Sequence, residues 1–137
     1  MARVLIVDDE VSILTVIGSI LQSEGHKTVT ASDGLKAKKL ILNGGFDLMI
    51  SDIRMTPING MELLKLAHDH HPTMAVIMLT AYGQVETAVE ALQLGAFDYV
   101  AKPFKTSALI ATVKRALDFR KLESSESAGA GKPVGAK

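Results

Sequence analysis

The sequence predicts a single α/β domain built on a parallel sheet of five strands with helices on both faces. The first observation is a set of apolar runs that stop abruptly at polar residues. Val4-Leu5-Ile6-Val7 runs into Asp8-Asp9, Leu48-Met49-Ile50 ends just before Asp52, Val76-Ile77-Met78-Leu79 meets Thr80, and Tyr99-Val100-Ala101 meets Lys102-Pro103. Such runs suit strands covered on both faces. The second observation is that segments with apolar residues at helical spacing lie between them. Alternating strands and helices imply right-handed crossovers, which gather the carboxyl ends of the strands along one edge. Open α/β sheets bind ligands at that edge.

Taken in order, residues 2–7 form the first strand, and Ile13, Leu14, Ile17, Ile20 and Leu21 mark a helix that stops at Glu24-Gly25. Residues 27–31 are more polar, as an edge strand should be. Ser32 or Asp33 can cap the next helix, which turns Ala37, Leu40 and Ile41 inward and closes at Asn43-Gly44-Gly45. After the third strand come a turn over residues 56–60 and a helix ending near His70-His71-Pro72. Residues 75–79 form the fourth strand. Val85, Ala88, Val89 and Leu92 then define an amphipathic helix stopped by Gly95. Residues 98–101 form the fifth strand. The last helix begins at Thr106 or Ser107, buries Leu109, Ile110, Val113, Ala116 and Leu117, and ends at the basic turn Arg120-Lys121. Residues 1–122 are expected to form the domain, and 123–137, almost without branched apolar residues, a disordered tail or linker remnant.

The 137 residues are 47% hydrophobic, enough to bury a core, and 15 basic residues balance 15 acidic ones. That balance gives no general field to draw nucleic acid or an anionic membrane, so neither is an expected partner. The chain has no cysteine, which excludes disulfides and thiolate sites and is compatible with a reducing cytoplasm, the expected location. The apolar stretch at the N-terminus is too short for a signal peptide or a membrane span.

Asp8, Asp9 and Asp52 would bring three carboxylates to one crevice, where like charges repel unless a cation joins them. Hard oxygen ligands with room for phosphate oxygens suit Mg²⁺. Lys102 adds a point charge for phosphate, and the Thr80 hydroxyl adds a donor. A carboxylate can also act as nucleophile in phosphoryl transfer, which asks a protein mainly for positioning and charge neutralisation. Asp52 is the expected acceptor. Asp8, Asp9, Asp52 and the Arg54 backbone carbonyl are the expected metal ligands, with Lys102 and Thr80 meeting the transferred oxygens.

These residues fall in motifs that resemble one family. VDDE at Asp8-Asp9, SDIRM around Asp52, TAYG at Thr80 and DYVAKPF with Tyr99, Lys102 and Pro103 look like the receiver domain of two-component response regulators, closest to those of sigma-54-type activators. The resemblance covers roughly residues 2–122. It implies a flavodoxin-like (βα)5 fold with strand order 2-1-3-4-5, and Mg²⁺-dependent phosphorylation of Asp52, with Mn²⁺ as a substitute ion. The donor would be a sensor histidine kinase or a histidine phosphotransfer protein. It further implies a switch in which Thr80 moves toward the phosphoryl group and Tyr99 turns inward, changing the face made by helix 4, strand 5 and helix 5. That face would address an output domain or target protein, or pair two copies on phosphorylation. The resemblance also implies a cis Lys102-Pro103 bond. One departure stands out: Thr56 intervenes before Pro57, where the family usually has proline directly after the methionine, while Gly60 keeps its offset.

Other classes fit less well. A phosphohydrolase with an aspartyl nucleophile usually spaces nucleophile and acid two residues apart after one strand, whereas Asp8 and Asp9 are adjacent. A flavodoxin's first loop would be rich in Ser, Thr and Gly rather than acids. His68, His70 and His71 are expected as exposed histidines at a helix end. The Lys36, Lys38 and Lys39 run reads as a solvated face, and Met49, Met55, Met61, Met74 and Met78 as packing residues.

Overall fold

A computed structural model describes residues 2–55, 58–81 and 85–129, the last of these from 121 onward by backbone alone. Five strands, β1 (Arg3–Val7), β2 (Lys27–Ala31), β3 (Leu48–Asp52), β4 (Ala75–Thr80) and β5 (Asp98–Ala101), alternate with α1 (Val11–Ser23), α2 (Gly34–Asn43), α3 (Gly60–His70), α4 (Val85–Gln93) and α5 (Thr106–Gly129). All strand pairs are parallel, in the order β2-β1-β3-β4-β5. This is the expected flavodoxin-like arrangement, with the polar strand β2 at an edge.

Alternation along the strands divides the core in two. Leu5, Val7, Met49, Val76 and Met78 face one side, where Ala37 and Ile41 of α2, Leu63, Leu64 and Ala67 of α3 and Ala91 of α4 cover them. Val4, Ile6, Leu48, Ile50, Ile77 and Leu79 face the other, under Leu14, Ile17 and Leu21 of α1 and Leu109, Val113 and Ala116 of α5. Each fully buried aliphatic side chain contributes about 1.5–3 kcal/mol, so the sheet is a rigid base for whatever its edge carries. Its register matters for that edge: Val7 pairs with Ser51, Asp52 with Leu79 and Thr80 with Ala101. The residues that end or follow these strands are therefore brought level.

Local signals account for the helix starts. The Asp33 side chain caps α2 by accepting from the Lys36 N–H at 2.8 Å. Asn59 and Glu62 form a reciprocal capping box at the start of α3. Gly60 permits a close approach there, because a Cβ at this position would collide with the Asp52 carbonyl oxygen.

Three expectations need correction. The amphipathic reading of α4 implied a buried stripe, but Val85, Val89 and Leu92 are exposed and only the small Ala88 and Ala91 are buried. Two alanines suffice to seat the helix, which leaves its larger residues outward. The last helix does not stop at Arg120-Lys121. It continues to Gly129, the first glycine after Thr106, because residues 121–128 contain no breaker. Finally, His68 and His70 are exposed as expected, but His71 is half-buried, its Nε2 2.8 Å from the Ile41 carbonyl oxygen. The methionines behave as packing residues: Met49, Met55, Met74 and Met78 are buried and Met61 partly so.

Candidate functional site

The level strand ends bring the predicted residues together. Asp8 follows β1, Asp52 ends β3, Thr80 ends β4 and Lys102 follows β5. The Lys102 Nζ lies 2.9 Å from Asp8 Oδ2, 3.5 Å from Asp52 Oδ1 and 3.4 Å from Glu10 Oε1. Asp8, Asp52 and Thr80 are buried, whereas Asp9 is exposed at the rim. Oxygens of Asp8, Asp9 and Asp52 lie within 4.8 Å of one another. The Lys102-Pro103 bond is cis, as expected.

Backbone contacts fix these positions. Asp8 Oδ1 accepts from the Glu10 N–H at 2.9 Å, and the Lys102 N–H donates to the Thr80 carbonyl at 2.6 Å. Behind Asp52, the Ile53 N–H donates to Leu79 O at 3.2 Å and the Gly60 N–H to Ile53 O at 2.8 Å. Asp52 is therefore held between β4 and the start of α3.

Three carboxylates share one ammonium here, with Asp9 nearby, and the electrostatics reflect it. Burial pushes the Asp52 carboxyl up to about 6, with the Asp8 charge adding to the effect and Lys102 opposing it. Burial also raises Asp8, against the Glu10 backbone bond and Lys102. Burial pulls the Lys102 ammonium down, but Asp8, Asp52 and Glu10 outweigh it and the net shift is upward. Lys102 thus stays charged, and it is the carboxylates that carry the strain of crowding.

Asp9 and Arg54 lie on the wall of an open cleft of about 450 Å³ that Ile53, Met55, Asn59, Met61 and Thr87 complete. Tyr99 is half-buried, paired with Met78 on the sheet face that also carries α2, α3 and α4. By alternation Thr80 belongs to that same face. Thr56, Pro57 and Tyr82 lie outside the described residues. Glu10, the fourth carboxylate, was not singled out from the sequence, although its place directly after Asp8-Asp9 was the available signal. The Asn59-Gly60-x-Glu62 cap under Asp52 was legible in the same way, as an N-cap residue three before a glutamate.

Residues 4–114 match the response regulator receiver domain. The chain belongs to the receiver-domain family. Transcriptional regulatory protein ZraR of Klebsiella oxytoca is 38% identical over 122 residues, which are 89% of this chain and 28% of that protein. Regulatory protein AtoC of Escherichia coli is 40% identical over 88% of this chain and 26% of its own length. The chain thus spans about a quarter of these curated relatives, and the part it matches is the receiver of sigma-54-type activators, as the resemblance indicated. Among solved structures, NtrX of Brucella abortus superposes with a TM-score of 0.90 at 37% identity, over 98% of this chain and 31% of that one. A receiver domain protein of Clostridium thermocellum gives 0.85 at 32% identity, over 90% of this chain and 99% of its own.

Receivers act as phosphoacceptors and generally bind Mg²⁺ at an aspartate cluster. The residues present fit such an ion. The donors are all oxygen, the three aspartates converge, and Asp8 Oδ2 is buried without a well-aligned hydrogen bond, its contact with Lys102 being ionic. Among the described residues no helix is long and apolar enough to cross a membrane.

Proposed function

We propose that this receiver takes up a phosphoryl group on Asp52 from a phosphohistidine of a sensor histidine kinase or histidine phosphotransfer protein. A carboxylate oxygen of Asp52 attacks phosphorus, the phosphorus–nitrogen bond breaks, and the imidazole leaves with the electron pair. Asp52, titrating at about 6, is mostly ionised and nucleophilic near neutral pH. The Lys102 ammonium neutralises charge on the transferred oxygens, and the Thr80 O–H donates a hydrogen bond to one of them. Asp8, Asp9, Asp52 and the Arg54 backbone carbonyl would hold Mg²⁺, with Mn²⁺ as a substitute. When bound, the ion supplies charge neutralisation at the phosphoryl oxygens.

Phosphorylation adds about −1.5 to −2 charge and strong acceptors beside Thr80. Thr80 and Tyr99 share a sheet face, so a pull on Thr80 reaches Tyr99 across two adjacent strands. The resulting change at α4, β5 and α5 addresses a downstream output domain or target protein, and on phosphorylation can pair two copies. The domain works in the cytoplasm as a signalling phosphoacceptor. It catalyses only its own phosphorylation and dephosphorylation, and it touches neither nucleic acid nor membrane directly.

The observation that carries this reading is the convergence of Asp8, Asp52 and Lys102 at one edge, with Lys102 within 3.5 Å of both acids. Acetyl phosphate with Mg²⁺ should add one labile phosphoryl group, visible by intact mass, and Asp52→Asn should abolish it. Equal labelling of both proteins would reject Asp52 as the acceptor.

A further inference from the structure

Two helices of the same layer carry outward faces that oppose each other in charge. On α2, Leu35 and Leu42 are 52% and 48% exposed and lie seven residues apart, two turns along one face. Lys38 and Lys39 fill the positions between them on that face, Lys36 lies beside it, and the helix contains no acid. On α4, Val85, Val89 and Leu92 are 64%, 45% and 38% exposed at spacings of four and three, again one outward stripe. Glu86 and Glu90 flank it, and this helix contains no base. Among the described residues, none of these five charged groups takes part in an ion pair. Both helices cover the same side of the sheet together with α3.

We propose that the outward face of α2 on one copy of this chain docks on the outward face of α4 on a second copy. Leucines meet valines and leucine along the seam, while Lys36, Lys38 and Lys39 approach Glu86 and Glu90. Pairing α2 with α2 would oppose lysines, and pairing α4 with α4 would oppose glutamates, so complementarity selects the unlike pair. The contact is heterologous, using two different patches, and it therefore extends into rings or open chains rather than stopping at a dimer. That distinguishes it from a symmetric pair formed through α4, β5 and α5. Two short helices make a contact at the weak end of the interface range, so association belongs at high protein concentration. It needs no phosphoryl group, and its failure would leave the role of Asp52 standing on its own mass measurement.

Sedimentation velocity over roughly 10 μM to 1 mM protein tests it. The weight-average coefficient should rise with concentration at low salt and fall back at about 1 M salt, where the Debye length is about 3 Å. Lys38→Glu with Lys39→Glu should remain monomeric, and so should Glu86→Lys with Glu90→Lys. These are surface changes, so near-wild-type melting is the check on folding. An equimolar mixture of the two variants restores complementarity at every contact and should associate as wild type does. A monomer at all concentrations would overturn the proposal, as would association that survives either variant or a mixture that fails to recover. Because the chain has no cysteine, Leu42→Cys mixed with Val89→Cys gives an independent readout. With oxidised glutathione added as the oxidant, rapid disulfide formation in the mixture is expected, and faster pairing within either variant alone would also overturn the seam.

Discussion

At the carboxyl ends of the strands Lys102 lies 2.9 Å from Asp8, and at the amino ends Arg120 lies 3.1 Å from Asp47. The two pairs look alike as distances and differ in every other respect. Asp47 holds a cation on one oxygen and the Arg3 N–H, at 2.9 Å, on the other, and both partners keep roughly a third of their side chains in water. Its acid and base are matched. Asp8 is fully buried and shares one ammonium with Asp52 and Glu10, while Asp9 stands nearby. Excess negative charge in a dry place costs stability, and a fold that keeps it is prepared for an incoming cation. The amino-end pair fastens α5 to the start of β3; the carboxyl-end cluster is the candidate site.

Removing the base from each cluster should separate them most sharply. Lys102→Met leaves Asp8 and Asp52 without their cation and should cost about 3 kcal/mol at pH 7 by urea denaturation, with phosphoryl labelling lost. The same variant should lose less at pH 5, as the carboxyls take up protons. A loss below 1 kcal/mol at pH 7 would mean that the cluster is already neutral.

Wild-type stability should respond to pH at the carboxyl end in a defined direction. Asp52 titrates at about 6 when folded, above its ordinary 3.8. Between those values the folded state holds more protons than the unfolded one, so stability falls as pH rises and the penalty is complete above about 6. Burial of Asp8 acts in the same direction. With metal chelated, the decline should approach about 3 kcal/mol from pH 4 to 7, and Asp52→Asn should flatten much of it. A stability that instead rises across this window would contradict the shift.

Added Mg²⁺ should reverse that penalty at pH 7, stabilising by about 2.7 kcal/mol at a hundredfold excess over its dissociation constant. Asp9→Ala should remove most of the gain while changing the metal-free midpoint little, since Asp9 is exposed. The smallest effect belongs to the amino end. Arg120→Ala should cost less than about 1 kcal/mol and leave labelling by acetyl phosphate intact.

Most of the carboxyl edge was legible because strand ends announce themselves: an apolar run, then Asp8, Asp52, Thr80 or Lys102. Parallel pairing then puts those residues side by side without further information. Glu10 was harder, since its distance to Lys102 depends on how the chain turns after Asp8 rather than on any periodicity. The outward stripe of α4 was misread because spacing reports which residues share a face and not which face meets the sheet. Alanine at positions 88 and 91 looks weaker than valine or leucine on a hydropathy scale, yet it is what packs. The length of α5 exceeded expectation because a basic turn at Arg120-Lys121 favours a helix end without enforcing one.

Lys102 stands only a short loop before α5, whose 24 residues run from Thr106 to Gly129. A rod of that length measures roughly 36 Å at 1.5 Å per residue. It therefore reaches from the edge that holds the ammonium to the amino ends of the strands, where Arg120 meets Asp47, so one continuous stretch of chain touches both ends of the sheet.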